Sequence, residues 1–290
     1  MIERAGQPVA TVPIEDIGLL IVDNPAVTYT QAVFTALAES GAVAVLCDGA
    51  HLPCALVQPA VGHTTQTERH RAQMGAPKRL GQQLWRELVS GKLRLQGLVL
   101  AEATGSDWGL HALSERVRPG DSANLEAQGA QRYFARVFGA GFRRDRQGAP
   151  PNNLLNYGYM VLRAAVARAL AGAGLLTSLG LHHHNRGNPF CLADDMVEPY
   201  RPFVDLKVVE LLRAGAIPEA IGRAEKAVLL SVFNEVAPVT GGGRSPILLA
   251  IQRGAASLAQ AFLTGRAGLV LPEGLPVTEP SDDEDADQGA

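Results

Sequence analysis

The sequence predicts an α+β protein that is mostly helical, with a small strand-rich N-terminal part and a larger helical C-terminal part. Short apolar runs bounded by turn residues, which are typical of buried strands, cluster in the first 60 residues. From about residue 78 onward, apolar residues recur instead at helical spacing. The 290 residues, 47% of them hydrophobic, suffice for one large or two ordinary globular domains.

The chain is predicted to divide into four parts. Residues 1–62 form a β-rich domain, the polar residues 63–77 a linker, residues 78–275 an all-helical domain, and residues 276–290 an acidic tail. The tail carries six carboxylates and no base, so residues 1–275 have a net charge of +3, whereas the whole chain has −3. We expect the tail to be a solvated, disordered extension, with DNA mimicry as the alternative.

Three strands and one helix are predicted in the N-terminal part. The strands are residues 18–22, 42–46 and 52–57, the last of which is interrupted by Pro53. Thr28 or Thr30 can cap a helix that runs to Glu39, and Gly41 follows its end. No glycine-rich phosphate loop follows either strong strand, which argues against nucleotide binding.

Helices are predicted through the rest of the chain, broken at proline and glycine positions. The first spans residues 78–103 and buries Trp85 in the core, and a short helix follows near Trp108. Asp121 or Ser122 can cap the next by accepting its free backbone N–H groups. The remaining predicted helical segments are residues 123–138, 152–179, 204–213, 217–236 and 245–263. Gly172 and Gly174 are expected to end the helix of the second segment.

Composition excludes several classes of protein. No apolar run reaches the roughly 18 residues of a membrane-spanning helix, and the N-terminus lacks the apolar stretch of a signal peptide. The three cysteines have no CxxC spacing, which argues against a disulfide framework or a cysteine-rich zinc site. A reducing, cytoplasmic setting without membrane association is therefore expected.

Potential metal ligands are concentrated between residues 180 and 205. The segment contains His182, His183 and His184, followed by Asp194, Asp195 and Glu198. Between the two groups lies a turn-rich stretch in which Gly187 lets the backbone reverse. We call residues 180–189 the histidine loop.

The acids after the histidine loop fall on a predicted helix. Asp195 and Glu198 are three residues apart, so they share one helical face. Pro199 cannot donate a helical hydrogen bond, and we expect the helix to end or kink at Glu198. A loop histidine beside two carboxylates suits a hard divalent cation. A surface histidine run and an acidic solvent face are the alternatives.

Positive charge is concentrated just before residue 150. Five arginines fall within fifteen residues: Arg132, Arg136, Arg143, Arg144 and Arg146. Contact with DNA phosphates requires only such charge, so these residues and Arg244 are candidate DNA contacts. A solvated basic loop is the alternative. Glu126 lies in the first turn of a predicted helix, where the helix dipole favours a carboxylate without any further role.

Several segments resemble the CRISPR-associated adaptation integrases, metal-dependent endonucleases that install new spacers. The resemblance is carried by Gly-Leu-His-His-His-Asn at 180–185 and by Asp-Asp-Met-Val-Glu-Pro-Tyr-Arg-Pro at 194–202. Residues 12–17, 68–73, 125–134 and 154–159 agree in consistent order. The match covers about residues 2–272, and the triple histidine resembles the type II subgroup.

This resemblance implies a metal site and a reaction. The family's metal-binding and catalytic residues fall on Glu126, on His183 in the pattern Gly-x-x-His, and on Glu198 at the end of Asp-x-x-Glu. Asp195 then assists, and His182 and His184 become supporting residues. The implied ion is Mg²⁺ or Mn²⁺, and the implied reaction joins the 3′-hydroxyl of a short DNA, the protospacer, to the CRISPR leader–repeat junction.

The resemblance also implies a fold and partners. Family members combine a small N-terminal β-domain with a helical catalytic domain and act as dimers. Two dimers flank a dimer of a small ferredoxin-like protein in a hetero-hexamer, and the type II effector nuclease is a further expected partner. Family members usually have further strands before the segment matched by residues 2–4, so we expect the β-domain here to be truncated.

Three other interpretations use the same residues. The first is a metal-dependent DNase acting on branched or single-stranded DNA without integration. The second is a DNA-binding scaffold whose acids are structural. The third is a zinc protein built on His182, His183 and His184.

Overall fold

The computed structural model describes residue 2 and residues 8–49, 53–145, 148–215 and 217–276. Near the N-terminus it contains a three-stranded sheet of β1 (Leu19–Val22), β2 (Val43–Cys47) and β3 (Pro53–Val57). Helix α1 (Gln31–Glu39) lies between β1 and β2 in sequence. The predicted strands and helix of this part are confirmed, apart from Leu52, which lies outside the described residues.

Strand β2 is the centre of this sheet. It pairs with β1 in parallel, with Leu19 opposite Val43, and with β3 in antiparallel fashion. Parallel neighbours require a crossover connection, and the segment containing α1 provides it. The first three residues of β2 are almost completely buried, as expected for a central strand.

Most of the chain is helical, as predicted. The helices that follow the sheet are α2 (Gln66–Met74), α3 (Lys78–Thr104), α4 (Leu110–Glu115), α5 (Leu125–Val137), α6 (Asn152–Gly172), α7 (Cys191–Met196), α8 (Arg201–Arg213), α9 (Arg223–Ser231) and α10 (Ile247–Thr264). The helical segment predicted over 152–179 is α6, which ends at Gly172 as expected from its two glycines, and Gly174 follows in a left-handed conformation (φ +68°). A single large apolar core joins these helices.

Helix α3 is the central element of the helical part. Its 27 residues place Leu84, Leu88 and Leu95 on a fully buried face, and Trp85 is in the core as predicted. Helices α4, α5 and α8 all pack against it. The helix ends at Gly105, whose left-handed backbone (φ +81°) is the usual way to terminate a helix. Side chains on different faces of α3 therefore reach several other helices.

The segment predicted as a linker, residues 63–77, contains α2, which packs on α10. The Gln73 side chain donates to the Leu176 carbonyl at 3.0 Å and accepts from the Leu176 N–H at 2.9 Å. Arg69 donates to the Ala173 carbonyl at 2.8 Å. These bonds attach the segment to the connection between α6 and the histidine loop. The four-part division of the chain remains a prediction, and residues 277–290 of the tail lie outside the described range.

The region predicted to be all-helical also contains a β-hairpin, so that expectation is wrong in one place. Strands β4 (Val236–Pro238) and β5 (Arg244–Pro246) pair in antiparallel fashion. Gly241, Gly242 and Gly243 between them all have positive φ, which glycine adopts without strain, so they build a tight turn. The predicted helix over 217–236 is correspondingly shorter and is α9.

Helix α10 is the one helix in the described part of the chain that is long and apolar enough to cross a membrane by length and composition. Half of it is buried inside the protein, where it packs on α6 and α2. Its apolar face therefore contributes to the core.

Candidate catalytic site

One buried carboxylate organises the histidine loop. Asp195, on α7, has no solvent exposure. Its two oxygens accept hydrogen bonds from the backbone N–H groups of Leu181 (2.5 Å), His182 (3.1 Å) and His183 (3.1 Å). The loop therefore wraps around this side chain, and three otherwise unpaired backbone donors are satisfied by one anion.

The same carboxylate orients His183. Asp195 Oδ1 lies 2.6 Å from the ring nitrogen Nδ1 of His183. The hydrogen bond to Asp195 raises the pKa of the imidazole, and partial burial opposes that shift. With Nδ1 bonded to a carboxylate, the other ring nitrogen is the one left to meet a ligand, which is how metal-binding histidines are commonly held. Asp195 thus fixes the orientation of the His183 ring, and the assisting role that the resemblance implies for it remains a prediction.

Gly180 makes this close wrapping possible. A Cβ atom at this position would lie 2.3 Å from the His183 carbonyl oxygen and 2.8 Å from Asp195 Oδ2. Both distances are far below van der Waals contact. The glycine three residues before His183 is therefore a packing requirement of the loop.

The rest of the loop is attached to α6 through Asp194. Arg163 of α6 binds Asp194 through Nε at 2.5 Å and Nη2 at 3.1 Å. The guanidinium also lies 4.7 Å from the ring centroid of Phe190 and donates to Asn188. Two adjacent acids, Asp194 and Asp195, therefore fix the two ends of the loop.

His182 and His184 take different positions from His183. The His182 ring stacks on Trp85 of α3, with centroids 4.4 Å apart and an angle of 2° between the planes. His183 meets the same indole edge-on at 6.0 Å. His184 is exposed on the loop. The supporting roles expected for His182 and His184 remain predictions, and the stacking on Trp85 is the contact now seen for His182.

A second group of charges, which we call the charged cluster, consists of Lys92, Glu126, Glu198 and Arg201. Lys92 Nζ donates to Glu126 Oε1 at 2.7 Å and lies 2.5 Å from Glu198 Oε2. Arg201 Nη1 lies 3.0 Å from Glu198 Oε1. The side chains of Lys92 and Glu198 are 6% and 2% exposed, whereas those of Glu126 and Arg201 are 24% and 31% exposed, so the cluster reaches solvent through Glu126 and Arg201.

Local structure explains how Glu126 reaches the cluster. Asp121, one of the two predicted caps, accepts hydrogen bonds from the N–H groups of Leu125 (2.9 Å) and Glu126 (3.0 Å) at the start of α5. Further along α5, Gly129 lies against Leu93 so closely that a Cβ would be 2.1 Å from a Leu93 methyl carbon. Helices α3 and α5 therefore approach closely, and Glu126 meets Lys92.

Glu198 reaches the charged cluster because the chain changes direction at Pro199. Helix α7 ends at Met196, and a 3-10 turn, Glu198–Tyr200, leads directly into α8. The predicted end or kink of the helix at Glu198 is confirmed. The change of direction buries the Glu198 side chain against α3 while Asp195 stays under the histidine loop.

The charges of the cluster stabilise one another. Burial alone would lower the pKa of the Lys92 amine, but the carboxylates of Glu198 and Glu126 outweigh it and raise that pKa. Burial alone would raise the pKa of Glu198, but Arg201 and Lys92 outweigh it and lower that pKa. An ammonium ion therefore faces an ionised Glu198 near neutral pH.

A buried acid behind the cluster was not predicted. Asp205 of α8 is 1% exposed and accepts a hydrogen bond from the Tyr159 hydroxyl. Burial raises the pKa of Asp205 to about 6, against hydrogen bonds and nearby cations that lower it. Arg201 and Arg144 both lie 5.1 Å from the Tyr159 ring centroid. The polar network thus extends from the cluster into the core.

The structure brings together two of the three predicted metal ligands. Glu126 and Glu198 converge on Lys92 Nζ, whereas His183 points its Nδ1 to Asp195. As the side chains stand, the described residues contain no group of three or more His, Cys, Asp or Glu that could hold a metal ion. Lys92 was not predicted. It lies four residues after Leu88 and therefore on the buried face of α3, where a lysine indicates a cation that needs an acidic partner.

The arginines predicted to contact DNA lie in different environments. Arg132 and Arg143 are exposed, and Arg136 is exposed with its guanidinium 4.4 Å from the Trp108 ring centroid. Arg144 is half-buried and donates to Asn152 (3.1 Å) and Asn156 (2.6 Å). Arg244 is exposed at the start of β5, and Arg146 lies outside the described residues.

Comparisons with known proteins agree on one family. A family model described as CRISPR associated protein Cas1 matches residues 1–232. The CRISPR-associated endonuclease Cas1 of Neisseria meningitidis serogroup C (strain 8013) is 39% identical over 274 residues, covering 93% of this chain and 89% of the relative.

Solved structures show the same fold at low sequence identity. A casposase bound to integration product has a TM-score of 0.72 at 19% identity, covering 88% of this chain and 80% of that chain. A chain of a Cas6-RT-Cas1–Cas2 complex has a TM-score of 0.65 at 18% identity, covering 86% of this chain and 31% of that chain. From the sequence match over most of its length, the chain belongs to the CRISPR-associated Cas1 family.

Proposed function

We propose that this protein is a metal-dependent DNA endonuclease and integrase of CRISPR spacer acquisition, of the type II subgroup. It joins the 3′-hydroxyl ends of protospacers to the leader–repeat junction. The observation that carries the proposal is the convergence of Glu126 and Glu198 on a single cationic atom. His183 of the histidine loop lies close enough to Glu198 for the two groups to interact electrostatically. The family, the name of the Neisseria relative and the likeness in fold to a casposase support it.

The donor set is suited to a hard divalent cation. Lys92 Nζ is a cation already held between the two carboxylates. Glu198 Oε2 is a buried oxygen whose partner among the described residues is this ammonium, 2.5 Å away. Mg²⁺ or Mn²⁺ would be held by Glu126 and Glu198, with the His183 ring nitrogen remote from Asp195 as the third donor. When bound, such an ion would stabilise the negative charge that develops on the phosphoryl group.

The protein's own residues then bind and orient. Asp195 keeps the His183 ring in one orientation, so its free nitrogen faces one direction. Arg201 neutralises one oxygen of Glu198 and fixes the carboxylate plane. The exposed Arg132, Arg136 and Arg143 supply positive charge for DNA phosphates, and Arg244 is a further candidate. Arg144 is placed to support α6 through its asparagine contacts rather than to meet solvent phosphates.

The proposal includes partners. We infer a homodimer that assembles with a small ferredoxin-like CRISPR protein into a hetero-hexamer on DNA, in the cytoplasm and without a membrane. Support comes from the fold likeness to a chain in a complex that is named for Cas1 and Cas2. An association with the type II effector nuclease belongs to the same proposal.

The test is strand transfer of an end-labelled short duplex into a plasmid carrying a leader and a repeat, with Mn²⁺ or Mg²⁺ and the small partner protein. Wild type should give joined product. Glu126→Ala and Glu198→Ala should each reduce it by about 10²-fold or more, as expected for loss of a group that stabilises the transition state. Glu115→Ala, which removes an exposed carboxylate on α4, is the matched control and should retain activity.

The outcomes separate the competing interpretations. Cleavage without joining would favour a DNase that acts on branched or single-stranded DNA. DNA binding without either product, in wild type and in all variants, would favour a scaffold. Undiminished joining by Glu126→Ala and Glu198→Ala would show that the site is wrongly placed.

A further inference from the structure

Lys92 occupies the position where the two predicted acidic ligands meet. Its Nζ atom lies within 2.7 Å of Glu126 and 2.5 Å of Glu198, and its side chain is 6% exposed. The two carboxylates come from different elements, α5 and the 3-10 turn Glu198–Tyr200, while Lys92 comes from α3. The lysine is therefore the group that joins them.

The charges of the cluster balance. Two carboxylates, Glu126 and Glu198, face one ammonium and one guanidinium, so the four side chains have no net charge when all are ionised. Opposite charges at such distances attract strongly where burial limits screening by solvent. A divalent cation entering between the carboxylates would meet Lys92 Nζ at the same place and would be repelled by it.

We propose that the Lys92 ammonium is a resident counter-cation that holds Glu126 and Glu198 together in the metal-free protein and must leave at least one of them when the divalent metal binds. The inference rests on the proposed metal dependence. It explains why two ligands are brought together while His183 still stands apart with Asp195. The lysine side chain suits this role, since its single charged atom sits on a flexible four-carbon stem.

A purely structural ion pair is the competing explanation, and the protein contains one for comparison. Lys207 of α8 is also nearly buried and bridges two acids, Glu210 at 3.1 Å and Glu235 at 2.5 Å. Neither acid is a predicted ligand. Lys207→Met therefore removes a lysine with the same kind of double pairing without touching the charged cluster.

The two explanations predict opposite effects on metal binding. If Lys92 were only structural, its loss would loosen Glu126 and Glu198 and weaken the site for metal. If it is a counter-cation, its loss leaves a net negative cluster with space between the carboxylates, and the metal binds more tightly.

The experiment is calorimetric titration of the full-length protein with Mn²⁺ alone, without DNA, for wild type, Lys92→Met and Lys207→Met. We expect Lys92→Met to bind Mn²⁺ about tenfold more tightly than wild type, while Lys207→Met binds like wild type. Equal or weaker binding by Lys92→Met would overturn the proposal. Because no DNA is present, this result does not depend on whether the protein joins DNA ends.

A second measurement covers the case in which Lys92→Met does not fold. A crystal structure of the wild-type protein grown with Mn²⁺ should show the metal on Glu126 and Glu198, with Lys92 Nζ beyond contact distance of at least one of them. Lys92 still bridging both carboxylates in the metal-bound protein would overturn the proposal as well.

Thermal unfolding gives an independent readout. Without metal, Lys92→Met should melt below wild type, because two carboxylates lose their shared cation. Saturating Mn²⁺ should raise the melting temperature of Lys92→Met more than that of wild type. The same Mn²⁺ shift in both proteins would contradict displacement of the lysine.

Discussion

The histidine loop and the charged cluster lie side by side but are held together in different ways. In the loop, one buried carboxylate, Asp195, accepts three backbone N–H groups that are 12 to 14 residues away in sequence. In the cluster, Arg201 pairs locally with Glu198, but Lys92 joins acids that are distant in sequence, such as Glu126, 34 residues away. The loop is therefore a locally encoded structure, whereas the cluster exists only once the helices have packed.

The difference has consequences for which changes each region tolerates. The loop depends on backbone donors that converge on the buried Asp195 carboxylate and on one position without a Cβ, so its geometry matters most. The cluster depends on a balance of charges, so it responds to protonation and to added cations. Predictions that perturb shape in one region and charge in the other test this distinction.

The largest effect is expected for Asp195→Ala, on α7 beneath the histidine loop. It leaves three backbone N–H groups and the His183 ring without their acceptor, and we expect a loss of about 3–4 kcal/mol in the free energy of unfolding. Urea denaturation of the metal-free protein measures it. Asp194→Ala, at the neighbouring but partly exposed acid, should cost about 1–2 kcal/mol. Equal losses for the two variants would show that Asp195 does not organise the loop.

The next prediction concerns the effect of Asp205, a buried acid next to the charged cluster, on the pH dependence of stability. Burial raises the pKa of Asp205 from 3.8 to about 6 in the folded protein. Between these values the folded state keeps a proton that the unfolded state has lost, so this residue destabilises the fold progressively as pH rises through that window. At pH 7.5 the penalty is complete and amounts to about 3 kcal/mol.

Asp205→Asn removes this titration while keeping the size of the side chain. Relative to wild type, the variant should gain about 2–2.5 kcal/mol in the free energy of unfolding between pH 4 and pH 7.5, because a small part of the penalty is already present at pH 4. Urea denaturation at both values measures the difference. A difference that is independent of pH would mean that the folded-state pKa of Asp205 is not raised.

A smaller effect, of about 1–3 kcal/mol, is expected for Gly180→Ala, which changes shape without changing charge. The new methyl group would collide with the His183 carbonyl and with Asp195, so the loop must shift. Gly187→Ala is the matched control in the same loop, since its Cβ would lie 3.6 Å from Asn185 Oδ1, an ordinary contact. Thermal unfolding of both variants measures the contrast, and equal melting temperatures would contradict the packing role of Gly180.

The same distinction explains what was predictable from sequence. The strands, most helices and the break at Glu198 follow from apolar periodicity and from proline, which act over a few residues. The role of Asp195 was also within reach, because it lies close to the histidines in sequence. The hairpin of β4 and β5 was missed because three residues per strand are too short for a periodic pattern.

Long-range pairing was the part that sequence did not provide. The sequence around Glu126 indicated only a carboxylate in the first turn of a helix, where the helix dipole favours it. Only the family resemblance linked Glu126 to Glu198. Lys92 and Asp205 lie on helices α3 and α8. No local sequence pattern predicts which faces of these two helices pack together. The five arginines were grouped only because they are close in sequence, but their environments in the structure differ. Arg144 donates hydrogen bonds to two asparagines, whereas Arg132 is exposed.

That separation leads to the prediction with the smallest effect on stability. Arg132→Ala should change the free energy of unfolding by less than about 0.5 kcal/mol, because the residue is exposed on α5. If Arg132 contacts a DNA phosphate, the variant should reduce the slope of log Kobs against log salt concentration by about 0.9. Arg144→Ala should do the reverse, lowering stability through its lost bonds to Asn152 and Asn156 while leaving the slope unchanged. Fluorescence anisotropy with a labelled duplex at several salt concentrations, alongside urea denaturation, measures both quantities. A reduced slope for Arg144→Ala but not for Arg132→Ala would assign phosphate contact to the half-buried arginine and contradict the assignment made from exposure.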